Sequence, residues 1–125
     1  MALSPKLESE LSGLRTEYEI EVSEDSSCVN LVFKSFPLGP GFNRSSADVL
    51  IRVPLSYPDS GPDMFWTDRG VLLSDGRPPQ NANSEEIYAN RQWQRFSWHH
   101  NRWNSVTDNI DSYLEFIRSR LRQKQ

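Results

Sequence analysis

Helical spacing at both ends of this chain and strand spacing between them limit the folds it can adopt. Leu3, Leu7, Leu11 and Leu14 recur every three or four residues, which puts them on one face of a short helix. Ile110, Leu114, Ile117 and Leu121 repeat the pattern near the other end, with Tyr113 and Phe116 beside them and Asp111, Glu115, Arg118 and Arg122 opposite. Between the two stripes, Tyr18/Ile20/Val22, Val29/Leu31/Phe33 and Val49/Ile51/Val53 alternate with mostly polar neighbours, the period of half-buried strands. Short amphipathic helices are marginal alone, so both stripes must dock on the sheet the strands form. The expected class is α+β, with helices packed on one antiparallel sheet.

Local signals set the boundaries. Ser4-Pro5 is an N-cap followed by a first-turn proline, and Gly13 lies near the end of that helix. Ser23–Ser27 is the turn between the first two strands, Pro37–Ser46 a longer turn rich in Gly and Pro, and Pro54 stops the third strand. Met64-Phe-Trp-Thr67 gives a short fourth strand, completing a four-stranded meander. Residues 68–92 carry Asp75-Gly76, Pro78-Pro79 and Asn81-Ala-Asn83 and read as a long irregular loop; a loop of that length in a compact domain is usually functional. Acidic residues lead the last helix, and Arg118, Arg120, Arg122 and Lys124 close it, as its macrodipole prefers.

Bulk properties remove several classes of function. The 125 residues suit a single domain spanning 1–125. Fourteen Lys and Arg against seventeen Asp and Glu leave a formal charge of −3, so no nucleic-acid platform is expected. The lone cysteine, Cys28, excludes an internal disulfide and a cysteine-rich zinc site, and a reducing cytoplasmic setting is expected. Residues 1–14 mix apolar and charged residues, so neither a secretory leader nor a membrane span is expected. His99 and His100 are adjacent and lack a nearby third ligand, so neither a metal site nor a cofactor is expected.

Chemistry concentrates in Trp93-Gln-Arg-Phe-Ser-Trp-His-His-Asn-Arg-Trp103, which holds three of the four tryptophans and both histidines. Ser97 is the hydroxyl among them, and His99 and His100 are the only imidazoles able to take its proton. In an extended segment His99 shares a face with Ser97, which favours it over His100. The competing readings are a locally bonded turn serine, histidines at the surface, and Trp66 and Trp93 as core.

The order of elements, with Pro54-Leu-Ser-Tyr-Pro58 and Gly61-Pro62 after the third strand and Trp103 before the last helix, resembles the ubiquitin-conjugating (UBC) fold. More narrowly, Pro62-Asp-Met-Phe-Trp-Thr67, Trp93-Gln-Arg-Phe-Ser97, His99 and Trp103-x₄-Asp108 are similar to the prokaryotic UBC-like family E, a likeness covering residues 10–121. The resemblance implies a carrier that accepts the C-terminal glycine of a ubiquitin-like protein from a ThiF-type activating enzyme, in a pathway that can include a JAB-type deconjugating peptidase. The His-Pro-Asn triplet and catalytic cysteine of familiar conjugating enzymes are missing, and Cys28 sits at the first hairpin. The family's spacing back from Trp103 lands on Arg95, Phe96 and Ser97. Ser97 is therefore the implied acceptor, as an oxyester, with His99 or His100 as base and Asn101 as oxyanion donor; Asn81 and Asn83 are further donors by the same analogy. A non-catalytic adaptor for the ubiquitin-like protein or its activating enzyme is the alternative.

Overall fold

A computed structural model describes residues 3–100 and 102–123. Helix α1, Pro5–Leu14, begins where the sequence signals it, with Ser4 Oγ accepting from Leu7 N at 3.2 Å. Its buried face is Leu7, Leu11 and Leu14. Helix α2, Ile110–Gln123, is the second layer element, burying Ile110, Tyr113, Leu114, Ile117 and Leu121. Its first turn is closed reciprocally: Asn109 Oδ1 accepts from Ser112 N at 2.7 Å, and Ser112 Oγ accepts from Asn109 N at 3.0 Å. Glu10 of α1 adds a second cap, accepting from Ile110 N at 2.6 Å and from the Tyr57 hydroxyl. A carboxylate at a helix N-terminus satisfies an orphan donor and complements the dipole, so this one residue ties α1 to α2. Neither helix is long and apolar enough to cross a membrane. Lys124, the last residue of the basic run, lies outside the described residues.

Six antiparallel strands form one sheet in the order β1-β2-β3-β4-β6-β5, rather than the four-stranded meander expected. They are β1 Ile20–Glu24, β2 Cys28–Pro37, β3 Ser46–Pro54, β4 Phe65–Thr67, β5 Ser84–Tyr88 and β6 Arg91–Phe96. The segment 68–92, expected to be irregular throughout, contains all of β5 and the start of β6. Its polarity hid the strand: β5 is an edge strand with Ile87 exposed, and an edge strand need not show a buried apolar face. The β5–β6 turn is built on Ala89 and Asn90, both at positive φ (50° and 62°). Two such residues make the tight turn that matches strand twist, here without the usual glycine.

The alternation in the sequence reads out faithfully on the sheet. Val29, Leu31, Phe33, Val49, Ile51 and Val53 face the helices in one core with Phe65 and Phe96. A bulge between Phe33 and Phe36, with Ser35 at φ 52°, inserts a residue and returns Phe36 to the same face. On the other face Val32, Leu50, Trp66 and Trp93 form a smaller buried cluster, packed by Met64 and Tyr88. Its rim is ionic: Arg91 reaches Asp48 and Asp68, Lys34 reaches Asp48 at 3.0 Å, and Arg95 reaches Glu86 at 3.0 Å.

Candidate functional site

The stretch 93–103 divides at Ser97. Its first residues continue β6, where Trp93 is fully buried and its indole Nε1 donates to Tyr88 O at 3.0 Å. Gln94 points the opposite way and is also buried. Its amide donates to Val71 O and Ala82 O at 2.9 and 3.1 Å and accepts from Val71 N at 3.0 Å. One side chain thereby satisfies three backbone groups and pins the irregular segment 71–82 against the strand. Trp66 is 3 % exposed and donates to Glu86 Oε1 at 2.8 Å, so Trp66 and Trp93 are structural.

Ser97 is half-buried at the end of β6. Its N–H donates to Asn81 O at 2.9 Å, and its Oγ accepts from Arg95 Nε at 2.9 Å. Arg95 is in turn held by Glu86. Among the described residues no hydrogen bond joins Ser97 Oγ to His99 or His100. Asn81 contributes its backbone carbonyl at a positive-φ turn, and Asn83 is exposed. Ser74 is exposed in a turn, its N–H bonded to Gly41 O. Asn101, the oxyanion donor suggested by analogy, lies outside the described residues.

Beyond Ser97 the chain leaves the sheet and is held by Asp63. One carboxylate oxygen of Asp63 lies 2.8 Å from His99 Nδ1, and the other accepts from His100 N at 2.9 Å. Nδ1 must carry a hydrogen for that bond, which leaves Nε2 as the ring nitrogen free for proton transfer. His99 and Asp63 are both about half exposed, at 57 % and 49 %, so the pair is open to solvent. His100 turns inward instead, its ring 4.9 Å from Phe116, 5.6 Å from Tyr113 and 6.2 Å from Trp103. Trp103 donates Nε1 to Pro58 O at 2.9 Å. It also lies so close to Gly61 that an added Cβ there would sit 2.1 Å from its ring. The proline-rich turn 54–63 therefore supports both the histidines and the tryptophan. Tyr113 donates to Met64 O at 2.6 Å, and burial, helped by the Asp63 charge, pushes its hydroxyl far above the usual tyrosine range. It is a fixed donor, not an acid.

Cys28 stands opposite Pro54 in the β2–β3 ladder, and burial raises its thiol. A thiol kept protonated is a poor nucleophile. Among the described residues no group of three or more His, Cys, Asp and Glu could hold a metal.

The family model of prokaryotic E2 family E matches residues 8–124, nearly the whole chain. The chain belongs to this family. Comparisons with curated proteins and with solved structures give no match. For a family E chain, the sequence stretch quoted above brings His99, His100 and Ser97 to one end of β6, as adjacency requires, but the residues that hold them came from elsewhere. Asp63 is 36 positions from His99; it lies in Pro62–Thr67, a segment quoted for the family E likeness, but nothing in that segment aimed it at the histidines. Arg95 was legible in principle: two residues from Ser97 in a strand, it had to share its face, once β6 was recognised as a strand.

Proposed function

We propose that this family E domain is a conjugating-enzyme-like carrier in a bacterial ubiquitin-like modification pathway, taking the C-terminal glycine of a ubiquitin-like protein onto Ser97 as an oxyester. The reading rests on one observation: His99 is oriented by Asp63 through Nδ1, the arrangement that prepares an imidazole to act as base through its other nitrogen. In the step proposed, the activating enzyme presents the glycine as a thioester. Ser97 Oγ attacks its carbonyl carbon while Nε2 of His99 takes the hydroxyl proton; the C–S bond breaks and thiolate leaves. Arg95, already bonded to Ser97 Oγ, favours negative charge on that oxygen, although Glu86 offsets part of its field. Ser97 and His99 must close on each other for this transfer, and catalytic hydrogen bonds commonly tighten only in the complex. General acid–base help of this kind contributes about 10²–10⁴-fold. His100, half enclosed by aromatic rings, is the weaker candidate for base.

The second reading, a non-catalytic adaptor for the ubiquitin-like protein or its activating enzyme, is favoured by a different observation: Ser97 Oγ is occupied by Arg95. Incubation with a ThiF-type activating enzyme, ATP and the ubiquitin-like partner, followed by mass spectrometry, separates the two. The carrier reading expects an adduct at Ser97 that survives thiol reductants and yields to hydroxide, is lost in Ser97→Ala, is slowed at least tenfold in His99→Ala and is unchanged in Cys28→Ala. Association without any adduct establishes the adaptor instead.

A further inference from the structure

A line of hydrogen bonds runs from the buried outer-face cluster to Ser97, and a carboxylate on the edge strand stands at its centre. Trp66 and Arg95 are direct partners across β4 and β6, and Glu86 reaches both from β5. One oxygen of Glu86, Oε1, accepts from Trp66 Nε1 at 2.8 Å and from the Tyr88 hydroxyl at 3.4 Å. The other, Oε2, accepts from Arg95 Nη1 at 3.0 Å, and Arg95 Nε donates to Ser97 Oγ at 2.9 Å. Trp66 is 3 % exposed, so packing sets the direction of its indole N–H and, through it, the carboxylate. A free arginine samples many rotamers, but a planar guanidinium caught at Nη1 has the direction of its Nε–H set as well.

What that direction does to Ser97 follows from the bonding capacity of a hydroxyl, which has one hydrogen and two lone pairs. Arginine donates and never accepts, so the contact occupies one lone pair of Oγ and cannot take its hydrogen. The second lone pair is left for attack on a carbonyl carbon, and the hydrogen for a base. Without the arginine, the side chain has three staggered rotamers to choose from, and its hydroxyl can bond locally to backbone carbonyls instead. We infer that Glu86 is a positioning residue for Ser97: acting through Arg95, it holds the hydroxyl in the rotamer from which the acyl group is accepted. The inference rests on the carrier reading and gives a role to the contact that also favours the adaptor. Glu85, next in the chain, has no such role, because strand alternation puts it on the opposite face and it pairs with exposed Arg69 at 3.1 Å.

The test combines two measurements on the full chain. Solvent exchange of the Arg95 Nε–H, followed by NMR, reads the network with no chemistry involved. Acylation by N-acetylglycylglycine thiophenyl ester, followed by mass spectrometry, reads the transfer: Ser97 Oγ bonds to the glycine carbonyl carbon, its proton goes to His99, and thiophenolate leaves. Glu86→Gln is nearly isosteric, yet it sets an amide N–H against either Trp66 or Arg95, so one link is lost. It should speed exchange at Arg95 Nε–H and slow acylation of Ser97 about tenfold or more, the scale of one lost charge-assisted hydrogen bond. Arg95→Gln should slow acylation at least as much, and adding Glu86→Gln to it should change nothing further, as expected of two residues in one network. Glu85→Gln should match the parent in both measurements. Exchange at Arg95 indifferent to Glu86→Gln, acylation of Glu86→Gln at the parental rate, or effects that multiply in the double variant each overturn the positioning role while the carrier reading stands on the parent's adduct. Glu85→Gln slowing acylation as much as Glu86→Gln would assign the effect to the charge of the edge strand, which also overturns it. A parent never acylated at Ser97, by this ester or by the charged ubiquitin-like protein, ends the carrier reading and the positioning role together.

Discussion

Residues 93–96 and residues 98–103 are neighbours in the same aromatic-rich stretch, yet they are held by different physics. The first group is inside the sheet: Trp93 and Phe96 are buried on opposite faces, Gln94 has its amide fully bonded, and the backbone pairs with β4 on one side and β5 on the other. Among the described residues the second group has no ladder. Two oxygens of Asp63, the Pro58 carbonyl and the flat surface of Gly61 fix His99, His100 and Trp103 from one side, while His99 and Arg102 face solvent. Full burial stabilises the first group by removing apolar area from water; in the second, Trp98 and Trp103 are only partly buried against the core, and a few polar contacts add to that packing. Segments of the second kind are the ones a partner can reach and reshape, which is why the proposed chemistry is assigned to Ser97 and His99 and the stability to 93–96.

Truncating Trp93 attacks that contrast most strongly. The side chain is fully buried, bonds to Tyr88 O and lies 4.0 Å under the Arg91 guanidinium. Trp93→Ala should therefore lose about 3–5 kcal/mol of unfolding free energy by denaturant titration. A loss below about 1 kcal/mol would mean the outer-face cluster collapses freely around the gap, and β6 would not be the anchor described here.

Gly61→Ala probes the second group through its support. The new methyl would meet the Trp103 indole at 2.1 Å, too close for any side chain, so the ring must move and surrender its bond to Pro58 O. Overpacking of this kind costs about 1–3 kcal/mol. The diagnostic readout is faster hydrogen exchange at the Trp103 indole N–H with the Trp93 indole unchanged. Equal acceleration at both would show that the two groups unfold as one, and the division at Ser97 would fail.

How far these groups were legible in the sequence follows from the same physics. Alternation and helical spacing identified both helices and the first three strands, because each turns an apolar face to the main core and the period records it; the brief β4 showed only as a short run after the proline-rich turn, and it is buried on both faces. The strand β5 left no such record. Ser84-Glu-Glu-Ile-Tyr88 sits at a sheet edge with every residue half-buried or exposed, and its turn uses Ala89-Asn90 where a glycine would have signalled it. With β5 missed, Trp93–Phe96 read as part of a chemical stretch instead of as the strand beside it. At the site, residue types drew attention to Ser97, His99 and His100. Asp63, Glu86 and Asn81 reach them only through folding, since each is brought in from another segment by a chain reversal that no local pattern encodes.

The smallest effect concerns the ionic rim that flanks the buried strand group, where 98–103 has, among the described residues, the His99–Asp63 pair. Asp48 bridges Lys34 and Arg91, the same arginine that covers Trp93. Burial alone would raise the Asp48 carboxyl, but the Ser35 N–H bond and the Lys34 and Arg91 contacts outweigh it and hold the group below the usual carboxylate range. A depressed folded-state value means the unfolded chain binds the proton more readily, so the contribution is complete above the unfolded value of about 3.9 and disappears as pH falls below it through the folded value. Partial exposure and salt limit the size to about 1 kcal/mol or less. Asp48→Asn should thus be slightly less stable than the parent at neutral pH, and the difference should shrink in acid below about pH 4. The comparison is made by denaturant midpoints at matched ionic strength. A gap that stays constant into acid would assign the role of Asp48 to its hydrogen bond with Ser35 N, which an asparagine carbonyl can partly replace, and would leave the charge of the rim without a part in holding β6.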